Sequence, residues 1–421
     1  MGISAGNLAD LLAGQFAARP PALQAPPPEA ATLSIPSSCH HADWVAAQIQ
    51  ALCSEPIHMY DLKAALHQTR RCSAPGADRI TFQMLRNLAD AEKERLLECV
   101  NTIWDTGVLP ESWLVAVVTP ILKSRKPVKA LYSYSRRGSG ANAARQTISD
   151  VVATLEDAKA MRDVAMLVLL DVQSAFDGLA RAVIEACLDR LGLSGCLRSF
   201  ISAFLTGRPF RIRLGQELSE PRDITTGVPQ GSRLSRLLFH MAVAGLPTSL
   251  PVDPWFPVRC SIYADDVALW TRGPRKSTPS IRCSLQRALD AVTTFLGSIG
   301  LTVSTAKTEA MLVHPLASAQ SYTKQLKISG RALPWKQMVT YLGLAIDHRI
   351  TRIPAAKAAT TKVRRVQGAV SKLQQQQGRG CSPKWALRLN QAAATSMLFL
   401  RIRALRSLSE FVESNEIPAH R

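Results

Sequence analysis

Apolar residues recur at helical spacing from residue 44 to about residue 105, where Leu62, Leu66, Leu85, Leu88, Leu96, Leu97, Val100 and Ile103 mark successive turns. Ser73-Ala74-Pro75-Gly76-Ala77-Asp78 breaks that pattern and predicts a loop. From residue 147 to about 347, helix-like and strand-like segments alternate, which predicts a sheet with helices packed on it, an α+β fold. Inside it, residues 165–170 are apolar without alternation and stop at Asp171, the pattern of a strand buried on both faces that delivers a carboxylate to its tip. Ser261-Ile262-Tyr263-Ala264-Asp265-Asp266-Val267-Ala268-Leu269-Trp270 sets two acids between short apolar runs and predicts a strand-turn-strand hairpin. Leu234, Leu237, Leu238 and Met241 fall at helical spacing and predict a helix packed beneath the Gly-rich loop before it. Residues 1–45, Pro- and Ala-rich from about 18 to 38, predict a flexible leader, and the last seventy or so residues read as basic and helical.

Charge narrows the function classes. Lys and Arg total 51 against 32 Asp and Glu, a formal charge of +19, which favours a polyanionic partner. Nine cysteines stand singly, with no C-x-x-C pair, as in a reducing intracellular compartment. Cys39-His40-His41 lacks a second ligand pair at finger spacing and reads as polar loop. The longest strongly apolar run, Val164 to Leu170, is too short to span a bilayer. The first residues carry neither a basic signal-peptide start nor a myristoylation pattern. No membrane partner is expected.

Adjacent acids in an apolar stretch need compensation, because burying like charges side by side costs several kcal/mol unless a cation neutralises them. Magnesium with oxygen ligands is the common solution. Two ions about 4 Å apart can activate an attacking hydroxyl and stabilise departing pyrophosphate, with side chains needed only to hold them. Asp171 and Asp265 suit that task best, with Asp266 beside them.

Here the chain resembles reverse transcriptases of the non-LTR (LINE-like) retrotransposon type, in order through most of residues 50 to 400. Asp171-Val172-Gln173-Ser174-Ala175-Phe176-Asp177 resembles the first palm motif of that family, and Tyr263-Ala264-Asp265-Asp266 the third. The resemblance implies metal binding by Asp171, Val172, Asp265 and Asp266. It implies a steric gate at Phe176, whose ring excludes the 2′-hydroxyl. Thr225-Thr226-Gly227-Val228-Pro229-Gln230-Gly231-Ser232 is similar to the second motif, implying that Gln230 and Gly231 meet the nucleotide and that Gly227 and Pro229 meet the template duplex. Gly300-Leu301-Thr302-Val303-Ser304 followed by Lys307-Thr308-Glu309 resembles the fourth, making Lys307 the candidate general acid toward pyrophosphate. Tyr341-Leu342-Gly343 looks like the hairpin that grips the primer end.

The fold so implied is a right-hand polymerase palm, an antiparallel sheet packed on helices, with reduced fingers and a partial helical thumb. Expected boundaries are a leader at 1–45, a helical extension and reduced fingers at 46–160, the palm at 161–350 and a basic thumb-like segment at 351–421. Between Lys126 and Ile148 most of the fingers segment of the family is absent, and Arg236 stands where the family has Pro. Neither an endonuclease nor a Cys-His knuckle is present, so the chain reads as a fragment. The implied activity is RNA-directed DNA polymerase with two Mg2+ ions or Mn2+ in their place. Its partners would be an RNA template, a DNA primer, deoxynucleoside triphosphates and an endonuclease supplied elsewhere. Its place would be the nucleus and cytoplasm as a ribonucleoprotein. An intron maturase or viral RNA copier is a less suitable reading given Phe176 and Tyr-Ala-Asp-Asp. A catalytically inactive RNA-binding relic of the same fold is the alternative from another class.

Overall fold

The computed structural model describes residues 53–69, 78–118, 148–223, 226–229, 232 and 234–351 except 317. It adds the backbone of 121–122, 134–135, 143–147 and 233, and single helical positions between 7 and 13, at 51, and between 353 and 368. The chain divides into two units, Met1–Gly138 with Phe176–Val243, and Ser139–Ala175 with Ala244–Arg421. Both are discontinuous in sequence, so the linear boundaries expected at 160 and 350 do not mark them.

In the second unit the apolar run forms β1 (Val164–Gln173), the centre of a five-stranded antiparallel sheet with β2 (Arg259–Tyr263), β3 (Asp266–Gly273), β4 (Thr302–Val303) and β5 (Glu309–Val313). β3 flanks β1 on one side, with β2 beyond it, while β4 and β5 share the other side. Residues Val164 to Leu170 are all buried, each large side chain contributing roughly 1.5–3 kcal/mol through removal from water. Ala165, Leu167 and Leu169 face Val151 and Leu155 of helix α1 (Ala143–Ala160). The even-numbered residues point the other way, where α2 (Thr278–Ser298) contacts β1 and β3. Trp270 fixes α1 by donating its indole N–H to Thr154 Oγ1 at 3.1 Å.

Three hairpins complete this unit, each with a two-residue turn. β2 and β3 meet at Tyr263↔Asp266, as the sequence predicts, with Ala264 at φ +53 in the turn. β6 (Leu326–Ile328) and β7 (Arg331–Leu333) form the second. β8 (Met338–Tyr341) and β9 (Leu344–Asp347) form the third, around Leu342 at φ +46 and Gly343 at φ +85. Positive φ at both central residues is the twist-matched hairpin turn, and holding a leucine there stores about 1–2 kcal/mol of strain.

In the first unit the expected helices appear as Met59–Gln68, Phe82–Arg86 and Asp90–Thr106. The last ends at Gly107, whose left-handed φ of +66 lets its N–H close on Ile103 O at 2.9 Å. The loop expected at 73–78 lies outside the described residues except for Asp78. Strand Ala116–Val118 runs parallel to Pro209–Leu214, a pairing of segments about ninety residues apart that no local pattern announces. The expected flexible leader is corrected at its start: Ala9, Leu12 and Ala13 are buried against Phe210 and Ile212, and Asp10 accepts the Glu220 N–H at 2.9 Å. Their i, i+3, i+4 spacing is that of one helix face. The Pro-rich stretch, Cys39-His40-His41 and nearly all of 351–421 lie outside the described residues. Among those described, no helix is long and apolar enough to cross a membrane, and the cysteines are free thiols.

Candidate active site

Asp171 sits near the exposed end of β1, directly opposite Asp266 on β3. Cross-strand partners lie about 5 Å apart on one face of the sheet, so like charges there repel. The odd-numbered parity of Asp171 places that face on the α1 side, toward the β8–β9 hairpin. Asp265 projects from the turn, exposed, and its carbonyl accepts the Val172 N–H at 3.1 Å. Burial first, then the charges of Asp265 and Asp171, pushes the Asp266 carboxyl up to about 6, while Lys307 pulls it back.

Lys307 supplies the positive charge that this cluster lacks. Its Nζ lies 2.7 Å from Asp171 Oδ2, with Asp171 only a quarter exposed. The backbone explains how it gets there. The Ser304 N–H donates to the Asp171 carbonyl at 2.8 Å, and Ser304 O in turn accepts from Lys307 N at 3.1 Å and Thr308 N at 2.9 Å. Thr308 Oγ1 donates to the same Ser304 carbonyl at 2.8 Å. One tight turn after β4 therefore ties Lys307 to the carboxylate strand. The sequence motif assigns no role to Ser304 or Thr308, although hydroxyl residues four apart are a local turn signal.

Asp266 has a consequence for stability. Its folded pKa of about 6 exceeds the ordinary aspartate value of 3.8, so between about pH 4 and pH 6 the native state holds a proton that the unfolded chain has released. Metal-free stability therefore falls as pH rises through that window. Asp266→Asn is expected to flatten this dependence and raise the melting temperature by a few degrees above pH 6, as thermal melts across pH 4 to 8 will show.

Tyr341 is buried, 2% exposed, in the cluster beneath the same face. Burial raises its phenol pKa well above the ordinary value. Its ring supports the hairpin from below, leaving the Leu342-Gly343 turn as the part that can face a ligand. Sequence periodicity alone did not separate these two roles.

In the first unit Phe176 is half-buried, its ring centroid 5.0 Å from that of buried Phe239 on helix Arg233–Val243. Its carbonyl accepts the Val228 N–H at 2.7 Å, and Gly227 N–H reaches Leu179 O at 3.0 Å. Gly227, at φ +84, leaves no room for a side chain: an added Cβ would stand 2.6 Å from the Asp177 backbone and from Phe176 O. Gly227→Ala is accordingly expected to lower unfolding free energy by at least about 2 kcal/mol, measured by denaturant titration. The expected burial of Leu237 is corrected, since it is 57% exposed. The inward face carries Ser235, Leu238, Phe239 and Ala242, with Ser235 Oγ donating to Pro229 O at 2.7 Å. The helix is rotated from the expected phase because a serine serves as a buried contact. Arg236 is exposed on its first turns, so the missing proline is tolerated. Gln230 and Gly231 lie outside the described residues.

An antiparallel sheet on helices, with an acid at a central strand tip opposite an Asp-Asp hairpin, defines a polymerase-type palm. Reverse transcriptase (RNA-dependent DNA polymerase) is the family that matches, over residues 117–346, more than half of the sequence, and the chain belongs to it. It is 24% identical over 314 residues to the RNA-directed DNA polymerase from mobile element jockey of Drosophila melanogaster, covering 66% of this chain and 34% of that protein. It is 23% identical over 347 residues to the probable RNA-directed DNA polymerase from transposon BS of the same fly, covering 73% and 38%. The chain thus spans little more than a third of these relatives. Among solved structures, apo telomerase from Candida tropicalis, truncated from its C-terminal domain, aligns at TM-score 0.34 and 13% identity over 68% of this chain and 49% of that one.

Proposed function

We propose that this chain is the catalytic portion of an RNA-directed DNA polymerase of a non-LTR mobile element, joining deoxynucleotides to a primer on an RNA template. The observation that carries this reading is the convergence of Asp171, Asp266 and Lys307 at one end of the sheet, in the order of the family motifs. Among the described residues no three His, Cys, Asp or Glu side chains are gathered closely enough to hold an ion. The donors nevertheless suit Mg2+ or Mn2+, being hard oxygens whose charge one cation, the Lys307 amine, already partly offsets. Asp171, Asp265 and Asp266, with the Val172 carbonyl, would hold two such ions. Bound there, they would activate the primer hydroxyl and stabilise departing pyrophosphate.

The residues of the chain supply the remaining work. Lys307 brings a proton donor on a short backbone tether to the carboxylate strand. Phe176, five positions after Asp171 and braced by Phe239, would exclude a 2′-hydroxyl. Phe176→Ala is expected to relax discrimination against ribonucleotides by on the order of tenfold or more, read from kcat/KM for paired deoxy- and ribonucleotides. The RNA template, DNA primer, separately supplied endonuclease and nuclear or cytoplasmic ribonucleoprotein location all belong to this proposal.

A second reading, an inactive RNA-binding relic, draws on the formal charge of +19, which favours a polyanion with or without catalysis. Primer extension on an RNA template with deoxynucleotides and magnesium decides, using the chain and its Asp265→Asn, Asp266→Asn variant. Extension by the first alone supports the polymerase. Extension by neither, with RNA still bound, establishes the relic.

A further inference from the structure

A basic surface lies at the other end of the palm sheet. β5 leaves the sheet at Val313, paired with Ala165, and β3 leaves it at Gly273, paired with Val164. Six residue steps of strand lead from Ala165 to Asp171, about 20 Å at 3.3 Å per residue. Beyond those ends a hollow of about 820 Å³ is lined by Arg275, Lys276, Arg282, Lys324, His314 and Tyr322, and no carboxylate lines it. It adjoins a second hollow of about 870 Å³, which shares Arg282, Tyr322 and Lys324 and adds Lys327. The one acid there, Asp290, accepts a hydrogen bond from Gln286 at 2.8 Å.

Three features of this groove point to one ligand chemistry. The cations converge from separate elements: the turn after β3, the start of α2 and the segment before β6. The first residues of α2, Thr278 and Pro279, also line it, so the positive end of a 21-residue helix adds to the field. Tyr322 is 60% exposed, a ring face open to solvent, held edge-to-face against His314 at 6.5 Å between centroids. His314 is itself fixed, its Nδ1 accepting the Leu316 N–H at 2.9 Å. Cations that track phosphates around an aromatic platform make the combination that holds an unpaired nucleic-acid strand.

We infer that this groove binds single-stranded RNA, remote from the carboxylates, with phosphates on Arg275, Arg282 and Lys324 and a base on Tyr322. The assignment is independent of polymerase activity and is tested without catalysis. Binding of a fluorescein-labelled, unstructured 25-nucleotide RNA to the full chain is followed by anisotropy across a KCl series. Arg275→Ala, Arg282→Ala, Lys324→Ala together are expected to weaken binding about tenfold or more and to reduce the salt slope by about 2, the loss of three single-strand phosphate contacts. Tyr322→Ala is expected to weaken binding several-fold with the slope unchanged, and Tyr322→Phe to restore it, because stacking needs the ring and not the hydroxyl. A 4-thiouridine RNA should crosslink to the peptide carrying Tyr322. Unchanged affinity and slope in the triple variant overturn the proposal. So does a triple variant that keeps RNA but loses binding to phosphatidylserine vesicles, which would assign the groove to a membrane surface.

Discussion

Asp171→Asn is expected to reduce RNA-templated primer extension by about a hundred- to a thousandfold, comparable to losing a principal electrostatic contact at a transition state. The substitution keeps size and shape, so β1 and its pairing with β3 are retained. It removes the charge that faces Asp266 and binds Lys307 at 2.7 Å. Returning the Lys307 amine to water costs little, because that side chain is 68% exposed. The loss therefore falls on chemistry and not on folding. Single-turnover extension, beside an RNA-affinity measurement that changes less than about twofold, checks this. A variant that extends primers within tenfold of the parent would remove Asp171 from the catalytic set.

Lys307→Met is the second large effect. General acid catalysis by a positioned side chain contributes roughly 10²- to 10⁴-fold, so the chemical step is expected to slow by about a hundredfold or more, with a smaller solvent deuterium effect. The same substitution has an opposite consequence in the resting protein. Lys307 lowers the Asp266 pKa from what burial and its acidic neighbours impose, so removing the amine moves that carboxyl above about 6. The pH window over which metal-free stability falls then extends upward, which thermal melts will register. A slowed reaction together with that shift separates a residue acting at the site from one that merely shapes it.

The chemistry-bearing segments were legible because each has a strong local pattern. The unbroken apolar stretch Val164 to Leu170 is the central strand, since only a strand covered on both faces tolerates seven consecutive buried side chains. The two acids after Tyr263-Ala264 lie at a two-residue turn because apolar residues flank them at strand spacing. Other features resisted reading. The face of helix Arg233–Val243 was expected one position out, because a helix contact made by Ser235 carries no hydrophobic signal. Tyr341 looks like a surface aromatic in a short motif, yet Val151, Leu155 and Leu167 enclose its cluster. Residues 9–13 seemed part of a Pro- and Ala-rich leader until Phe210, two hundred residues later, gave them something to cover.

Sequence by itself determined which segments become strand, turn or helix and where the acids fall among them, since propensity and hydrophobic period act over a few residues. Only the tertiary structure decided who faces whom. Pairing of Asp171 with Asp266, delivery of Lys307 by the Ser304 turn, and assembly of Arg275, Arg282, Lys324 and Tyr322 into one groove all follow from strand register and helix packing. Those contacts join positions tens to more than a hundred residues apart, where the closing of the chain and not its local preference sets the geometry.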